Sequence, residues 1–249
     1  MIALVLGGAP SVWGDLERAQ ELTAGLDTAI VATNHAGVLY EGELDAWATL
    51  HPELFAGWRA ERAEEGRNTD YRAFAHRTHG GLVGAEVYPL GWSGSSGLYG
   101  AEVAVHALAA AGVILCGVPM EREAGHIVMP GDWTLVDNYK PAWLAAKQAG
   151  LPVRSMGGWT AELFGEPDAA WVTSLNADPA TKRLKAPEAT MRIKMLRTRN
   201  FTMPEDRRLT TKYLVDQEYT VKRNHGAEMV TDGDAKEVRP PRRPAKADA

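Results

Sequence analysis

The sequence predicts an α/β protein with a Rossmann-like, doubly wound, mainly parallel sheet, followed by a small β-rich C-terminal module. Two observations lead to this prediction. Short apolar runs alternate with helical patterns of about ten to fifteen residues through the first two thirds of the chain, which is typical of a parallel sheet with helices on both faces. Further along, short strand-like runs follow one another directly, which indicates a second, β-rich unit.

The predicted elements alternate in chain order. The strand-like runs of the first unit are MIALVLGG, TAIVATN, LDAWATLH, VILCGVP and PVRSMG. The helical runs between and after them are SVWGDLERAQELTAG, PELFAGWRAERAEEG, LYGAEVAVHALAAAG, YKPAWLAAKQAG and WTAELFG. The polar stretch RNTDYRAFAHRTHGGLVGAE shows no clear period. In such a fold, ligands bind outside the carboxyl ends of the strands, where loops lead into helices.

The chain is predicted to divide into four segments. Residues 1–175 form the Rossmann-like domain, and residues 176–189 form a linker because Pro, Ala and Lys dominate this stretch. Residues 190–238 form the small β-rich module. The last segment, 239–249, cannot build a core, and we expect it to be disordered.

The charge of the chain is unevenly distributed. Residues 1–181 carry 22 acidic and 10 basic side chains, whereas residues 182–249 carry 10 acidic and 17 basic ones. A basic tail can contact nucleic acid or an acidic protein, but it is more often a solvated appendage. The sequence therefore disfavours nucleic acid as a partner.

Composition excludes several classes of protein. Apolar residues make up 45% and charged residues 24% of the chain, and no apolar run reaches the roughly 18 residues of a membrane span. The N-terminal run lacks a basic region and turns into a glycine pair, so we expect a first strand, no signal peptide and a cytoplasmic protein. The single Cys116 allows neither a disulfide nor a thiolate metal cluster within one chain, and we expect it to be buried.

The loop LGGAPSVWGDL after the first strand is a candidate anion site. Gly7 and Gly8 permit close approach of a ligand to the backbone, Pro10 stiffens the turn, and Ser11 is placed to cap the next helix, whose free amides attract anions. The third glycine of the dinucleotide fingerprint does not occur at its spacing. A tight turn with an ordinary serine cap explains the same residues.

Polar residues also stand at the ends of the second and third predicted strands. Asn34 at the end of the second strand can donate and accept hydrogen bonds toward a base or phosphate, although asparagine is also a common turn residue. His51 stands at the end of the third strand, directly before a proline. We interpret His51 as the end of that strand rather than as a site residue.

The stretch SGSSG before the long helix is a second candidate anion site. Ser95 and Ser96 lie where the helix begins, so their hydroxyls can cap it, while Gly97 leaves room for a phosphate or ribose. Two such loops on one rim suit a nucleotide better than either loop alone. The alternative is a flexible Gly/Ser loop with a cap.

Histidines supply the candidate for proton transfer. His126 follows the next strand, and Glu121 or Glu123 in the same loop could orient its ring, although scattered charges on a surface loop are an equal explanation. His76 and His79 have the spacing of a metal pair, but no third ligand supports them, so we predict no metal site.

These motifs together resemble those of a known superfamily. LGGAPS, the asparagine after the second strand and SSGLYGAEVAVHALAAAGVILCGVPM are similar to the ordered motifs of a Rossmann-like superfamily. That superfamily includes the bacterial sialyltransferases that use CMP-sialic acid, the motility-associated factor glycosyltransferases and the hydroxymethylpterin pyrophosphokinase-like proteins. The resemblance covers about residues 1–130, and its specificity comes from the order and spacing of the motifs.

The resemblance implies a glycosyltransferase-like enzyme that binds a CMP- or other NDP-linked sugar as its donor and needs no separate cofactor. It implies that the loop residues line the phosphate, that a second group holds the nucleoside and ribose, and that His126 is the general base for the hydroxyl of a glycan or small-molecule acceptor. The phosphate-lining residues are Gly7, Gly8, Pro10 and Ser11. The nucleoside-binding residues are Asn34, Ser95, Ser96 and Gly97.

Two departures from the superfamily pattern affect this expectation. Gly8 stands where an asparagine is frequent, and Pro119 stands where the superfamily has an aspartate after the Gly-Val that ends the strand-like run VILCGV. Both changes remove polar contacts to the donor. A pyrophosphokinase would need a metal-binding carboxylate pair, which the sequence does not offer at a recognisable spacing.

The C-terminal module supports an alternative function. Its segments MRIKMLRTRNFTM, YTVKR and AEMV are similar to short β-rich segments of tailed-phage structural and accessory proteins. This likeness implies a phage or prophage origin. The alternative is therefore a non-catalytic accessory or virion-associated protein that uses the fold as a scaffold and contacts a phage structural protein.

Overall fold

The strand β1 (Ile2–Leu6) is the centre of the sheet in the computed structural model, and it is buried along its whole length. Its residues IALVL are apolar on both faces, as a strand covered from both sides requires. It pairs in parallel with β2 (Thr28–Thr33) on one side and with β6 (Gly112–Cys116) on the other. The other strands of this sheet are β3 (Ala46–Thr49), β4 (Arg72–Ala75), β5 (Glu86–Val87) and β7 (Val153–Ser155).

The strand order shows where the sheet changes direction. Among the residues that the structure describes, which are 1–80, 82–88, 95–129, 131–177, 190–202 and 210–238, seven parallel strands follow the order β5-β4-β3-β2-β1-β6-β7. The chain builds outward from β1 through β2 to β5 and then returns to the other side of β1 as β6. The topological switch point therefore lies between β1 and β6.

Helices cover both faces of the sheet. On one face, α1 (Val12–Leu22), α2 (Ala36–Leu39) and α3 (Pro52–Glu64) bury residues such as Leu16 and Trp58 against it. On the other face, α4 (Ser96–Glu102), α5 (Lys140–Gln148) and α6 (Gly158–Phe164) do the same with a separate apolar cluster. The predicted doubly wound α/β class is confirmed.

The predicted long helix LYGAEVAVHALAAAG is shorter than expected. The α-helical part, α4, ends at Glu102 and continues as a π-helix over Val103–Ala107. Ala109 then adopts a φ of 58°, a left-handed conformation that ends the helix before β6. The apolar pattern extends past this point because these residues are still largely buried, and periodicity alone does not reveal the change of backbone.

Two regions contain regular structure that the sequence analysis did not predict. The polar stretch without a clear period holds β4 and β5, which are joined by a bidentate ion pair between Arg72 and Glu86. The segment after Glu166 holds a further helix, α7 (Ala169–Ala177), whose Val172 is buried. Both regions escaped prediction because their strands are only two to four residues long and the helix has a weak amphipathic pattern.

The chain divides into two compact units, Met1–Lys185 and Ala186–Ala249. Most of the predicted linker 176–189 and the whole predicted tail 239–249 lie outside the described residues. None of the helices within the described ranges is both long and apolar enough to span a membrane.

The described part of the second unit, residues 190–202 and 210–238, contains two small antiparallel sheets. A three-stranded sheet has the order β11-β8-β12, and α8 (Arg223–Thr231) contacts all three strands. Its buried residues include Ile193 and Met229. The other sheet is the antiparallel pair β9 and β10, which lie between β8 and β11 in the sequence. The strands are β8 (Thr190–Met195), β9 (Arg199–Thr202), β10 (Thr210–Tyr213), β11 (Glu218–Lys222) and β12 (Ala235–Glu237).

A buried arginine holds the crossover between β2 and β3 in place. The Arg62 side chain is fully buried, and its guanidinium donates to the carbonyl oxygens of Gly37, Tyr40, Gly42 and Asn68. An arginine can satisfy several carbonyls at once because it offers five N–H donors in one plane. This contact explains how a charged residue occupies an otherwise apolar face.

We predict that Arg62→Met destabilises the protein by about 3 kcal/mol or more, because it leaves several buried carbonyls without a donor. Urea unfolding measures the change. The matched control is Arg122→Met, which removes a half-exposed partner of Asp137 and should leave the unfolding midpoint unchanged. Equal midpoints for both variants would contradict the structural role of Arg62.

We predict a second stability effect at Glu102, where burial raises the pKa of the carboxyl to about 7. The raised pKa means that the protonated carboxyl suits the folded state, so its contribution is present at acidic pH and is lost as pH rises through about 7. Glu102→Gln cannot ionise, so it should match the wild type at pH 4, below the ordinary glutamate pKa, and exceed it by about 3 kcal/mol at pH 8.5. Urea unfolding at both pH values, with exposed Glu17→Gln as control, checks this; parallel pH profiles would refute it.

Candidate functional site

The candidate site lies at the switch point, where the loops after β1 and β6 meet. Gly7 N donates to Cys116 O over 2.8 Å, and Ala9 N donates to Gly117 O over 3.0 Å. These backbone bonds continue the pairing of the two strands into their loops. The crevice where an open α/β sheet binds ligands is thus built from segments more than one hundred residues apart.

A buried aspartate joins the same two loops. Asp15 Oδ2 accepts hydrogen bonds from Ser11 Oγ at 3.0 Å and from Gly117 N at 2.9 Å, and its Oδ1 accepts from Arg18 at 2.7 Å. The prediction that Ser11 caps α1 is wrong, because its hydroxyl makes no cap hydrogen bond and donates to Asp15 instead. Sequence reasoning missed Asp15, which stands one turn into α1.

The predicted residues Asn34 and Ser96 come together at this rim. Asn34 has a φ of 46°, and its Nδ2 donates to Ser96 Oγ over 2.9 Å. Its Oδ1 accepts from Thr49 Oγ1 at 2.9 Å, and its carbonyl accepts from Trp47 Nε1 at 2.8 Å. The Asn34 side chain therefore ties the end of β2 to the start of α4 and to the end of β3. Thr49 was not predicted.

The serine pair at the start of α4 has divided roles. Ser95 is buried, and its Oγ accepts from Leu98 N at 3.4 Å, which caps the helix, and from Trp143 Nε1 at 3.2 Å. Ser96 is partly exposed and uses its Oγ as the acceptor for Asn34. Ser93 and Gly94 of the SGSSG stretch lie outside the described residues.

The glycines of both loops are required by packing. A Cβ on Gly7 would lie 2.4 Å from the carbonyl oxygen of Gly117, and a Cβ on Gly97 would lie 2.7 Å from Val118 Cγ1. Protein atoms thus occupy the space that we expected Gly97 to leave for a ligand. Because Gly7 and Gly97 have no side chain, the loop after β1 and the start of α4 both lie directly against the loop after β6.

His126 lies over the first loop. Its neighbour Ile127 donates from its amide to Gly8 O at 2.8 Å, and a Cβ on Gly8 would lie only 2.8 Å from His126 Nε2. Val128 N donates to His126 Nδ1 at 3.3 Å, so the neutral ring carries its proton on Nε2. Burial, followed by the nearby His35, lowers the pKa of His126, and the ring is neutral at neutral pH.

Other predicted residues of this end of the sheet are placed as follows. Pro10 and Ser11 are exposed, so a ligand can reach them. Glu121 and Glu123 are exposed, and within the described residues the ring of His126 is oriented by the Val128 amide rather than by either glutamate. The described residues contain no group of three or more potential metal ligands, so His76 and His79 are not part of such a cluster.

The Pro119 departure from the superfamily pattern has a packing role. A Cβ on Gly158, which has a φ of 69°, would lie 2.4 Å from the Pro119 side chain, and Thr160 N donates to Pro119 O over 3.4 Å. The loop after β6 therefore packs on the start of α6.

Two surface cavities lie at the opposite end of the sheet. One, of about 530 Å³, is lined by residues such as Glu41 and Arg67, and the other, of about 410 Å³, by residues such as Arg59 and Tyr71. These residues lie along α3 and in the segments before β3 and β4. None of the predicted site residues lines either cavity.

The first unit is thus an α/β protein of the Rossmann-like class with a polar rim at its switch point. No family model and no curated protein matches the sequence. A solved structure that resembles the chain is that of the sialyltransferase CstII from Campylobacter jejuni in complex with a substrate analogue, CMP-3FNeuAc, with a TM-score of 0.42 and 12% identity. The likeness covers 68% of this chain and 85% of that chain.

We predict that Gly97→Ala destabilises the protein by about 1 to 3 kcal/mol, because the new methyl group overlaps Val118. The control is Gly57→Ala, an exposed position within α3 with no atom near its Cβ, which should stabilise the protein by about 0.5 to 1 kcal/mol. Thermal unfolding distinguishes the two directions. Stabilisation by Gly97→Ala would show that the space beside Val118 is open.

Proposed function

We propose that the first unit binds the nucleotide part of a nucleotide-sugar at the switch point and transfers the sugar to a hydroxyl acceptor. The observation that carries the proposal is the hydrogen bond between Asn34 and Ser96, which joins the end of β2 to the start of α4. Val118 lies against both Gly97, the neighbour of Ser96, and Gly7 of the loop over which His126 lies. The N-terminal ends of α1 and α4 open at the same rim and add partial positive charge.

The hydrogen bonds that Ser96 and Ser11 make within the protein determine whether each hydroxyl can donate to a ligand or accept from it. Ser96 Oγ accepts from Asn34, which leaves its own O–H as a donor to a phosphate oxygen. Ser11 donates its O–H to Asp15, which leaves its oxygen as an acceptor for a ribose hydroxyl or a base amino group. The rim therefore presents donors and acceptors in separate places.

His126 compensates for the asparagine that Gly8 replaces. The imidazole fills the space above Gly8, where a longer side chain would collide with it, and its Nε2–H is a neutral hydrogen-bond donor. In our proposal His126 donates to the leaving phosphate. The role of general base, which the resemblance implies for His126, requires Nδ1 to be released from the Val128 amide.

The proposed reaction is a displacement at the anomeric carbon. The acceptor oxygen loses its proton to a base and forms a bond to that carbon, while the bond from the carbon to the phosphate oxygen breaks and the phosphate keeps the electron pair. The donors of Ser96 and His126 and the helix amides stabilise the charge that develops on the phosphate. The CMP- or other NDP-linked donor, the glycan or small-molecule acceptor, a phage origin, a cytoplasmic location and the accessory-protein alternative stay predictions from the sequence.

We predict that one of CMP, UDP and GDP binds the full chain with a micromolar dissociation constant, and that Ser96→Val weakens this binding at least tenfold, about 1.4 kcal/mol. The valine removes the hydroxyl and adds bulk at the rim. Titration calorimetry measures the binding, and thermal unfolding checks that the variant folds.

Ser174→Val, an exposed serine of α7, is the matched control and should bind as the wild type does. No binding of any of the three nucleotides by the wild type would refute the proposed function. Undiminished binding by Ser96→Val would refute the site while leaving the function standing.

A further inference from the structure

A line of hydrogen bonds leads from Asn34 to His51, a residue outside the site described above. Thr49 Oγ1 donates to Asn34 Oδ1 at 2.9 Å and accepts from His51 N at 2.8 Å. The backbone of His51 is therefore held at a fixed position relative to the Asn34 side chain, at the carboxyl end of β3. Its own side chain is about half exposed, so it is open to solvent at this end of the sheet.

The ring of His51 is oriented by a carboxylate. His51 Nδ1 lies 3.3 Å from Glu53 Oε1, and Glu53 Oε2 accepts from Arg77 Nη2 at 3.4 Å. A hydrogen bond from its own backbone amide, then His51 and Arg77, lower the pKa of Glu53, so this side chain is ionised at neutral pH. Because a carboxylate only accepts, the neutral ring of His51 carries its proton on Nδ1 and leaves the lone pair of Nε2 free.

The two rim histidines thus have opposite tautomers. His126 accepts a hydrogen bond on Nδ1 and carries its proton on Nε2, whereas His51 donates a hydrogen bond from Nδ1–H to Glu53 and has Nε2 as an acceptor. A general base must offer a lone pair toward the substrate. Of these two, His51 is the one whose exposed nitrogen can accept a proton without first losing a protein partner.

Charged and titratable groups from neighbouring elements face the pair. Arg77, after β4, contacts Glu53 and donates from Nε to His76 Nε2 over 3.2 Å. Burial, followed by Arg77, lowers the pKa of His76, so that ring is neutral at neutral pH. Trp58 of α3 lies edge-on between His51 and His35, with ring centroids 6.2 Å and 4.8 Å away.

We propose that His51 is the general base of the transfer reaction and that Glu53 is the residue that positions its ring. The inference rests on the proposed function and deepens it. The proton of the acceptor hydroxyl moves to His51 Nε2 as the acceptor oxygen bonds to the anomeric carbon, and the electron pair of the broken bond leaves with the phosphate. The imidazolium that forms is stabilised by the Glu53 carboxylate.

The first test reads the tautomers directly. Long-range ¹H–¹⁵N correlation spectra of the ¹⁵N-labelled full chain at alkaline pH distinguish Nδ1–H from Nε2–H rings, and His51→Gln and His126→Gln assign the signals. We expect Nδ1–H for His51 and Nε2–H for His126. An Nε2–H tautomer at His51 would overturn the proposal, whatever the protein binds.

The second test measures release of free nucleotide from CMP-sialic acid, UDP-sugar and GDP-sugar probes, with water as the acceptor, across pH 5 to 9. His51→Gln should lower kcat by roughly 100-fold or more, and it should abolish the acidic limb of the profile, while nucleotide Kd changes by less than about twofold. His106→Gln, an exposed histidine on the π-helix, is the control and should change neither quantity.

Glu53 variants separate positioning from charge. Glu53→Gln keeps an oxygen that can accept the Nδ1 proton, and Glu53→Leu does not, so we expect the glutamine to retain more of kcat than the leucine. Equal losses would remove Glu53 from the assignment.

The outcomes distinguish this inference from the proposed function. Wild-type turnover and an unchanged pH profile in His51→Gln would overturn the role of His51 and leave the nucleotide-sugar function intact. Nucleotide binding by the wild type without turnover of any probe would overturn the catalytic assignment. Absence of nucleotide binding would overturn the proposed function, and this inference with it.

Discussion

The carboxylate of Asp15 holds the switch point together, and the geometry of the rim depends on it. One of its oxygens accepts from Ser11 in the loop after β1 and from the amide of Gly117 after β6, while the other accepts from Arg18. Both loops are thereby locked at the distance at which Gly8 can accept from Ile127 and His126 can lie over it. Because the carboxylate is buried, losing any one of these three partners would leave part of its hydrogen-bonding capacity unsatisfied.

The parts of the fold that could be predicted are those in which one period dominates. β1 and β6 are continuous apolar runs, and α1 and α3 carry apolar residues at helical spacing, so their existence and order follow from the sequence. The π-helix after α4 could not be predicted, because a buried apolar segment looks the same in either helix type. The π-helix ends where Ala109 adopts a positive φ, and the sequence has no glycine at that position to indicate such a conformation.

The candidate site divides in the same way. Asn34 and Ser96 could be proposed because polar residues at strand ends and helix starts stand out locally. Asp15 could not, because it looks like an ordinary acid in the first turn of a helix and its partner Gly117 lies 102 residues away. For His51, the local signal is the glutamate two residues later in His-Pro-Glu, whose carboxylate contacts the His51 ring.

The hydrogen bonds that each exposed group of the rim makes within the protein determine which of its atoms remain available to a ligand. Ser96 Oγ accepts from Asn34 and keeps its O–H as a donor for a ligand, whereas Ser11 donates its O–H to Asp15 and keeps its oxygen as an acceptor. The same logic gives His126 a free donor and His51 a free acceptor. A displacement reaction needs both kinds of group, donors where negative charge develops and an acceptor where a proton is lost. Since a histidine can exchange tautomers, it is the fixed partners, the Val128 amide and the Glu53 carboxylate, that assign one ring to each role.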